Sequence, residues 1–250
     1  KTVIIFGGSG YVGRNIVRRL AKKGNKIIIP YHSSANEPKL RLLGKLGQIT
    51  VFKFNNIEDP RVTNALKNAD IIINLKTMWD QKRLSFSEGI FEFNKGLIDF
   101  ISSFDKKKMF IFFSGIGLDP EISSKRSNAI SNSEEYIQQN VLNYVIVRPG
   151  IIIGSGDKFV TSLVPLIKYF FVVPLFGKGM SKFQPVYVDD IAKAVEKILD
   201  NTSRQDIFEL VGPEIFTYRE FYSFIANSMN LRRIYFHVPF FLLKIGVFFL

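Results

Sequence analysis

Thr2-Val3-Ile4-Ile5-Phe6 followed by Gly7-Gly8-Ser9-Gly10-Tyr11-Val12-Gly13 and then Arg14-Asn15-Ile16-Val17-Arg18-Arg19-Leu20 opens the chain. One threonine followed by four apolar residues predicts a strand buried on both faces. Behind the glycines, Val12, Ile16, Val17, Leu20 and Ala21 fall on one face of a helix from Val12 to Lys23, and Gly24 stands just past its end. A glycine-rich run means little alone, but a strand before it and a helix after it supply the context in which it cradles a phosphate. Gly7 allows the tight turn, Gly10 lets backbone approach a pyrophosphate, and Gly13 permits close packing of helix on strand, while the first helical turn offers unpaired N–H groups.

Outward from this unit, Lys26–Pro30, Ile49–Phe54, Asp70–Leu75, Met109–Phe113 and Tyr144–Val147 read as further buried, and hence parallel, strands. Asp59-Pro60 starts a helix, as a capping aspartate and a first-turn proline do, with Val62, Ala65 and Leu66 facing inward. A longer helix is expected over Ser87–Ser103, carrying Ile90, Phe91, Leu97, Ile98 and Ile101. The fold class that follows is α/β: a Rossmann-type, doubly wound parallel sheet over residues 1–150. After Arg148-Pro149-Gly150 the pattern breaks into Gly/Pro-punctuated pieces, expected to form a smaller C-terminal, substrate-side lobe over 151–250, interleaved with the first domain and cut short at its end. Phe240–Leu250 is apolar but too short to span a bilayer, which leaves a core helix, an interfacial segment or a partner contact open.

The composition of the 250 residues, 46% hydrophobic, is that of a globular protein. With no cysteine there is no disulfide, thiolate catalysis or sulfur-bound metal, and with two histidines no metal site is expected. The chain enters a strand at once, so no signal peptide is expected. A net charge of +12 asks for a partner or a solvated face. Arg14, Arg18, Arg19, Lys22, Lys23 and Lys26 surround the first helix and Lys106, Lys107 and Lys108 precede a strand; most such clusters are solvated. Without interleaved aromatics or a recognition motif, nucleic acid is not an expected partner.

Specificity between the two nicotinamide dinucleotides is set off the end of the second strand, where an acid binds the ribose 2′-OH of NAD. That place reads Pro30-Tyr31-His32-Ser33-Ser34, without an acid, so NADP(H) is expected over NAD(H).

GGSGYVGRNIVRRL, IIIPYHSS, LRLLGKLGQI, ADIIINL, FFSGIG, IVRPGIIIGSGDKF, KFQPVYVDDIAKAV and ELVGPEIFTYREF together resemble the extended short-chain dehydrogenase/reductase superfamily. Within it the likeness is to the atypical branch that includes an accessory nucleotide-binding subunit of respiratory complex I. Position by position, the resemblance implies that Gly7, Ser9, Gly10, Tyr11, Val12 and Gly13 hold the pyrophosphate, with Tyr31, His32 and Ser33 at the adenosine ribose. It places Asn56 and Ile57 beside adenine, and Leu75, Lys76, Thr77, Ser114, Pro149 and Gly150 toward the nicotinamide half. Lys76 departs from the small residues usual there. The resemblance further implies a membrane-bound partner such as complex I, peripheral membrane contact, and a place in the cytoplasm or on the matrix side of the respiratory inner membrane.

Catalysis in that superfamily needs a Tyr-x-x-x-Lys pair, because an unperturbed phenol, with a pKa near 10, is a poor base at neutral pH. None of the nine tyrosines has a lysine four residues on. The segment expected to carry the pair, Ser123-Ser124-Lys125-Arg126-Ser127-Asn128-Ala129-Ile130, reads as a solvated or mobile connection. A non-catalytic, dinucleotide-binding accessory or assembly subunit is therefore expected. The rival is an NADPH-dependent reductase or nucleotide-sugar epimerase using an acid such as Asp119 or Glu134.

Overall fold

A computed structural model describes residues 1–32, 35–81, 84–104, 108–117, 124–176, 178–200 and 205–238. The chain clusters into two units, one of Lys1–Pro149 with Val188–Leu210, the other of Gly150–Tyr187 with the described residues from Val211 onward. Val188–Leu210 is the part of the C-terminal region that belongs to the first unit. Phe240–Leu250 lies outside the described residues.

The first unit is a sheet of seven parallel strands. They are β1 (Thr2–Phe6), β2 (Lys26–Tyr31), β3 (Ile49–Lys53), β4 (Ile71–Asn74), β5 (Met109–Phe113), β6 (Tyr144–Pro149) and a later strand, Gln205–Leu210, numbered β11 in chain order. Their order is β11-β6-β5-β4-β1-β2-β3. The order reverses between β1 and β4, and a ligand of such a sheet binds in the crevice at that switch point, off the carboxyl ends of the strands.

Helix α1 (Tyr11–Lys22) buries Gly13, Ile16, Val17, Leu20 and Ala21, the spacing that its sequence dictates, and Gly24 ends it at φ +82°. On the same sheet face packs Val188–Asp200, numbered α7, through Ala192, Val195, Ile198 and Leu199. Arg19 reaches Glu196 and Asp189 across that contact, and Lys23 reaches Glu196 at 2.7 Å. The opposite face is covered by α3 (Pro60–Asn68), by a π-helical turn (Ser87–Glu92) that runs on into α4 (Phe93–Ser102), and by α5 (Lys125–Asn140). Asp59 caps α3 by accepting from Arg61 N, with Pro60 in its first turn. The expected helix over Ser87–Ser103 thus opens with a widened turn, where Gly89 leaves room for the Met78 side chain.

Two expectations change. The segment read as a loose connection is the start of α5, and Ser124 caps it by accepting from Ser127 N. Serine ahead of a helix is a cap before it is a loop signal. Lys108, expected on a solvated face, is 6% exposed and donates to the carbonyls of Lys67 and Ala69 at the end of α3, while Lys106 and Lys107 lie outside the described residues.

The second unit holds β7 (Ile151–Ile153) paired in parallel with β10 (Pro185–Tyr187), and β8 (Val172–Phe176) paired in parallel with β13 (Ile234–Val238). Helix α6 (Phe159–Tyr169) and helix α8 (Tyr218–Ser228) close a small core around Leu163, Ile167, Val173, Leu175, Phe221 and Ile225. A reciprocal cap of Thr217 and Glu220 starts α8.

Candidate nucleotide site

The carboxyl ends of β1 to β5 gather most residues that the sequence singles out. Gly7 sits at φ +79° with Leu75 backbone 3.0 Å from where its Cβ would be, a position closed to other residues by both conformation and space. Gly13 packs so that an added Cβ would overlap the Gly7 carbonyl oxygen and lie 2.6 Å from Gly8 Cα. At Gly10 an added Cβ would meet only Gly7 O, at 3.2 Å. The fold therefore demands glycine at 7 and 13 far more than at 10, where an incoming ligand is the stronger reason for having no side chain.

Gly10 is also the N-cap of α1, with no side-chain cap and no acid in the first turn. The orphan N–H groups and the positive end of the helix are left for an outside anion. Arg14 lies against the same loop, donating to Ser9 O at 3.3 Å.

On one side of the loop Tyr31 ends β2 and His32 follows. The His32 ring lies on Phe54, centroids 3.8 Å apart, and 6.3 Å from Phe93. Burial, then the charge of Lys76, hold its pKa down to about 4, against the pull of a hydrogen bond to the Phe54 backbone. The imidazole is therefore neutral at ordinary pH, not a cation that would pair with a phosphate. Its Nε2 is buried without a partner among the described residues. The next acid along, Glu37, accepts from Tyr31 Oη at 2.6 Å and from Arg41 at 3.3 Å. Ser33 and Ser34 lie outside the described residues. Beyond β3, Asn56 is exposed and Ile57 half-buried, and Ile57, Glu58, Thr63, Gly96 and Phe100 line a cavity of about 330 Å³.

On the other side, Leu75, Lys76 and Thr77 leave β4. Leu75 N donates to Phe6 O at 2.9 Å, which holds this segment against β1. Lys76 turns inward, its ammonium 3.6 Å from the Phe93 ring centroid, and burial lowers its pKa to about 8. Ser114 follows β5; its backbone bonds Val147 O, while its buried Oγ has no partner among the described residues. Pro149 ends β6 and accepts from Ile116 N at 3.2 Å, whereas Gly150 begins the second unit.

Residues to which the sequence reading gave no role shape this side. Buried Asn74 donates to Asn94 Oδ1 at 2.7 Å, and Asn94 in turn donates to Ile90 O and Ser133 Oγ, which joins β4, α4 and α5 in one satisfied chain. Arg126, in the first turn of α5, donates to Met78 O at 2.8 Å and Thr77 Oγ1 at 2.9 Å and lies over the Trp79 ring.

Two acid–base groups on α5, Glu134 and Tyr136, are engaged with other side chains. Glu134, a candidate acid of the rival reading, is 4% exposed and forks onto Arg148, with Nε to Oε1 at 3.1 Å. Tyr136 donates to Asp99, and that bond raises its phenol pKa, the wrong direction for a base. Asp119 lies outside the described residues. Among the described residues no group of three or more metal-ligating side chains occurs.

The sequence matches the NmrA-like family over residues 1–244. It is 29% identical over 240 residues to the mitochondrial NADH dehydrogenase [ubiquinone] 1 alpha subcomplex subunit 9 of Arabidopsis thaliana, covering 94% of this chain and 60% of that one. It is 27% identical to the mitochondrial NADH-ubiquinone oxidoreductase 40 kDa subunit of Neurospora crassa, over 95% of this chain and 63% of that one. The chain thus spans less than two thirds of these relatives. UDP-glucuronic acid 4-epimerase from Bacillus cereus, solved with UDP-glucuronic acid and NAD, shares the fold at a TM-score of 0.78 and 13% identity, over 96% of this chain and 86% of that one.

Proposed function

The chain belongs to the NmrA-like family, and from that premise we propose that it is a nicotinamide-dinucleotide-binding accessory subunit of a membrane-bound respiratory NADH dehydrogenase, preferring NADP(H) and turning over no substrate of its own. The observation that carries this is a pair of buried polar atoms without a partner among the described residues, His32 Nε2 and Ser114 Oγ, at the ends of β2 and β5 on either side of a glycine cradle. Buried polar atoms are nearly always bonded. In the order β5-β4-β1-β2 three strand spacings separate those two ends, roughly 14 Å, which suits a ligand with two nucleoside halves joined by a diphosphate over Gly10.

Gly7 to Gly13 with the first turn of α1 would hold the diphosphate, His32 and Ile57 would flank the adenosine half, and Thr77 and Ser114 the nicotinamide half. Bound in this way, the nucleotide supplies stability through mass action, since it binds the folded chain and not the unfolded one. A place on the matrix side of the respiratory membrane accompanies the partner. No helix among the described residues is long and apolar enough to cross a membrane.

The test is to solubilise membranes of the source organism gently and resolve the tagged full chain on native gels. Comigration with NADH dehydrogenase activity in a high-mass complex is expected; migration as a free small protein would overturn the subunit assignment.

A further inference from the structure

Phe93 is the common neighbour of two basic side chains that no acid answers. Lys76 places its ammonium over that ring and His32 lies against its edge. Neither forms an ion pair with a carboxylate among the described residues, and no carboxylate contributes to the electrostatics of either. Glu37 is committed to Tyr31 and Arg41.

The two groups are chemically complementary. The His32 ring donates to the Phe54 carbonyl, so in the neutral ring Nε2 carries a lone pair and can only accept. A phosphate oxygen, an acceptor itself, is a poor partner for that atom; a ribose hydroxyl is a good one. The Lys76 ammonium can only donate, and a partly buried cation without a counter-charge favours an anion. Its seat on the Phe93 ring recovers only part of the lost hydration.

We infer that His32 and Lys76 divide the reading of a phosphorylated ribose, a ribose hydroxyl donating to His32 Nε2 while the 2′-phosphate monoester accepts from the Lys76 ammonium. This rests on the glycine loop holding the dinucleotide. It assigns the preference for NADP(H) to a lysine off β4 rather than to a side chain at the end of β2.

Calorimetric titration of the full chain with NADPH and NADH tests the assignment in the wild type, Lys76→Met, Lys76→Arg and His32→Ala. A lost charge-assisted hydrogen bond predicts that Lys76→Met binds NADPH about ten- to a hundredfold more weakly and leaves NADH within about twofold. Lys76→Arg keeps the preference, and His32→Ala weakens both nucleotides alike. Acylation of Lys76 should be slowed by NADPH much more than by NADH, an effect that a merely structural lysine would not show. Equal wild-type affinity for the two nucleotides, or equal losses of both in Lys76→Met, would overturn this inference alone. Binding of neither by the wild type would overturn the dinucleotide assignment beneath it as well.

Discussion

The two halves of the ligand edge are built differently. Around β1, β2 and β3 the essential features belong to the backbone: a left-handed turn at Gly7, a helix end without a cap at Gly10 and a close approach at Gly13. Around β4, β5 and α5 everything depends on side chains, and there Arg126 straps the loop leaving β4, Glu134 is locked to Arg148, and Tyr136 is tied to Asp99. Binding needs a shape that few positions specify. Proton transfer needs particular groups with tuned affinities, so chemistry can be lost while recognition persists.

The largest expected effect breaks the first half alone. Gly10→Asp places a carboxylate beside the diphosphate at a position with nearly enough room for a Cβ, so circular dichroism should stay native while affinity falls by about a hundredfold or more. Unchanged affinity in the folded variant would make the glycine run purely structural.

The second half is probed by turnover. Positioned acid–base help contributes about 10²–10⁴-fold, and without it carbonyl compounds, quinones and sugar nucleotides offered with either cofactor should react no faster than background. Ordinary enzymatic rates with any of them would restore the reductase or epimerase alternative.

A smaller effect separates structure from chemistry at Glu134. Glu134→Ala leaves Arg148, itself about one third exposed at its side chain, with only its 4.0 Å contact to Glu209 among the described residues, and should cost about 1–3 kcal/mol in denaturant unfolding. Nucleotide affinity should not move. A loss of affinity at unchanged stability would place Glu134 in the site.

The subtlest effect is with pH. His32 is held at about 4 in the folded chain against 6.5 in its absence, so between those values the unfolded chain binds more protons and stability rises with pH. Stability present above 6.5 should therefore decline as pH falls toward about 4. Much of that decline should vanish in His32→Ala, and in saturating NADPH it should continue to lower pH, since a ribose hydroxyl donating to Nε2 holds the folded-state pKa lower still. Identical acid profiles for wild type and variant would remove His32 from the account.

The binding half was far more legible in the sequence than the other. Glycines followed by an apolar helix face, and Asp59 ahead of Pro60, are local signals, and local physics decided them. Helix α5 escaped because it buries Ser133 and Glu134 alongside Ala129, Ile130 and Ile137, so its inward face carries no clean apolar period and its leading serines resemble a loop. Interleaving of the C-terminal region with the first domain was expected, but not that Val188–Leu210 is the returning piece: periodicity shows that a segment is a helix but not which face it will cover. Lys76 was legible only as a departure from the usual small residues until its neighbours, Phe93 and His32, were brought to it from distant parts of the chain.

The central claim, recognition without chemistry, meets its most direct test in a titration of the full chain with NADPH. Trp79, the sole tryptophan, lies on the loop leaving β4 and serves as donor for energy transfer to the reduced nicotinamide. Saturable transfer at one nucleotide per chain, with the nicotinamide still reduced after prolonged incubation with candidate acceptors, is the predicted result. No saturable transfer together with no calorimetric heat, or steady oxidation of the bound nucleotide by an acceptor, would contradict it.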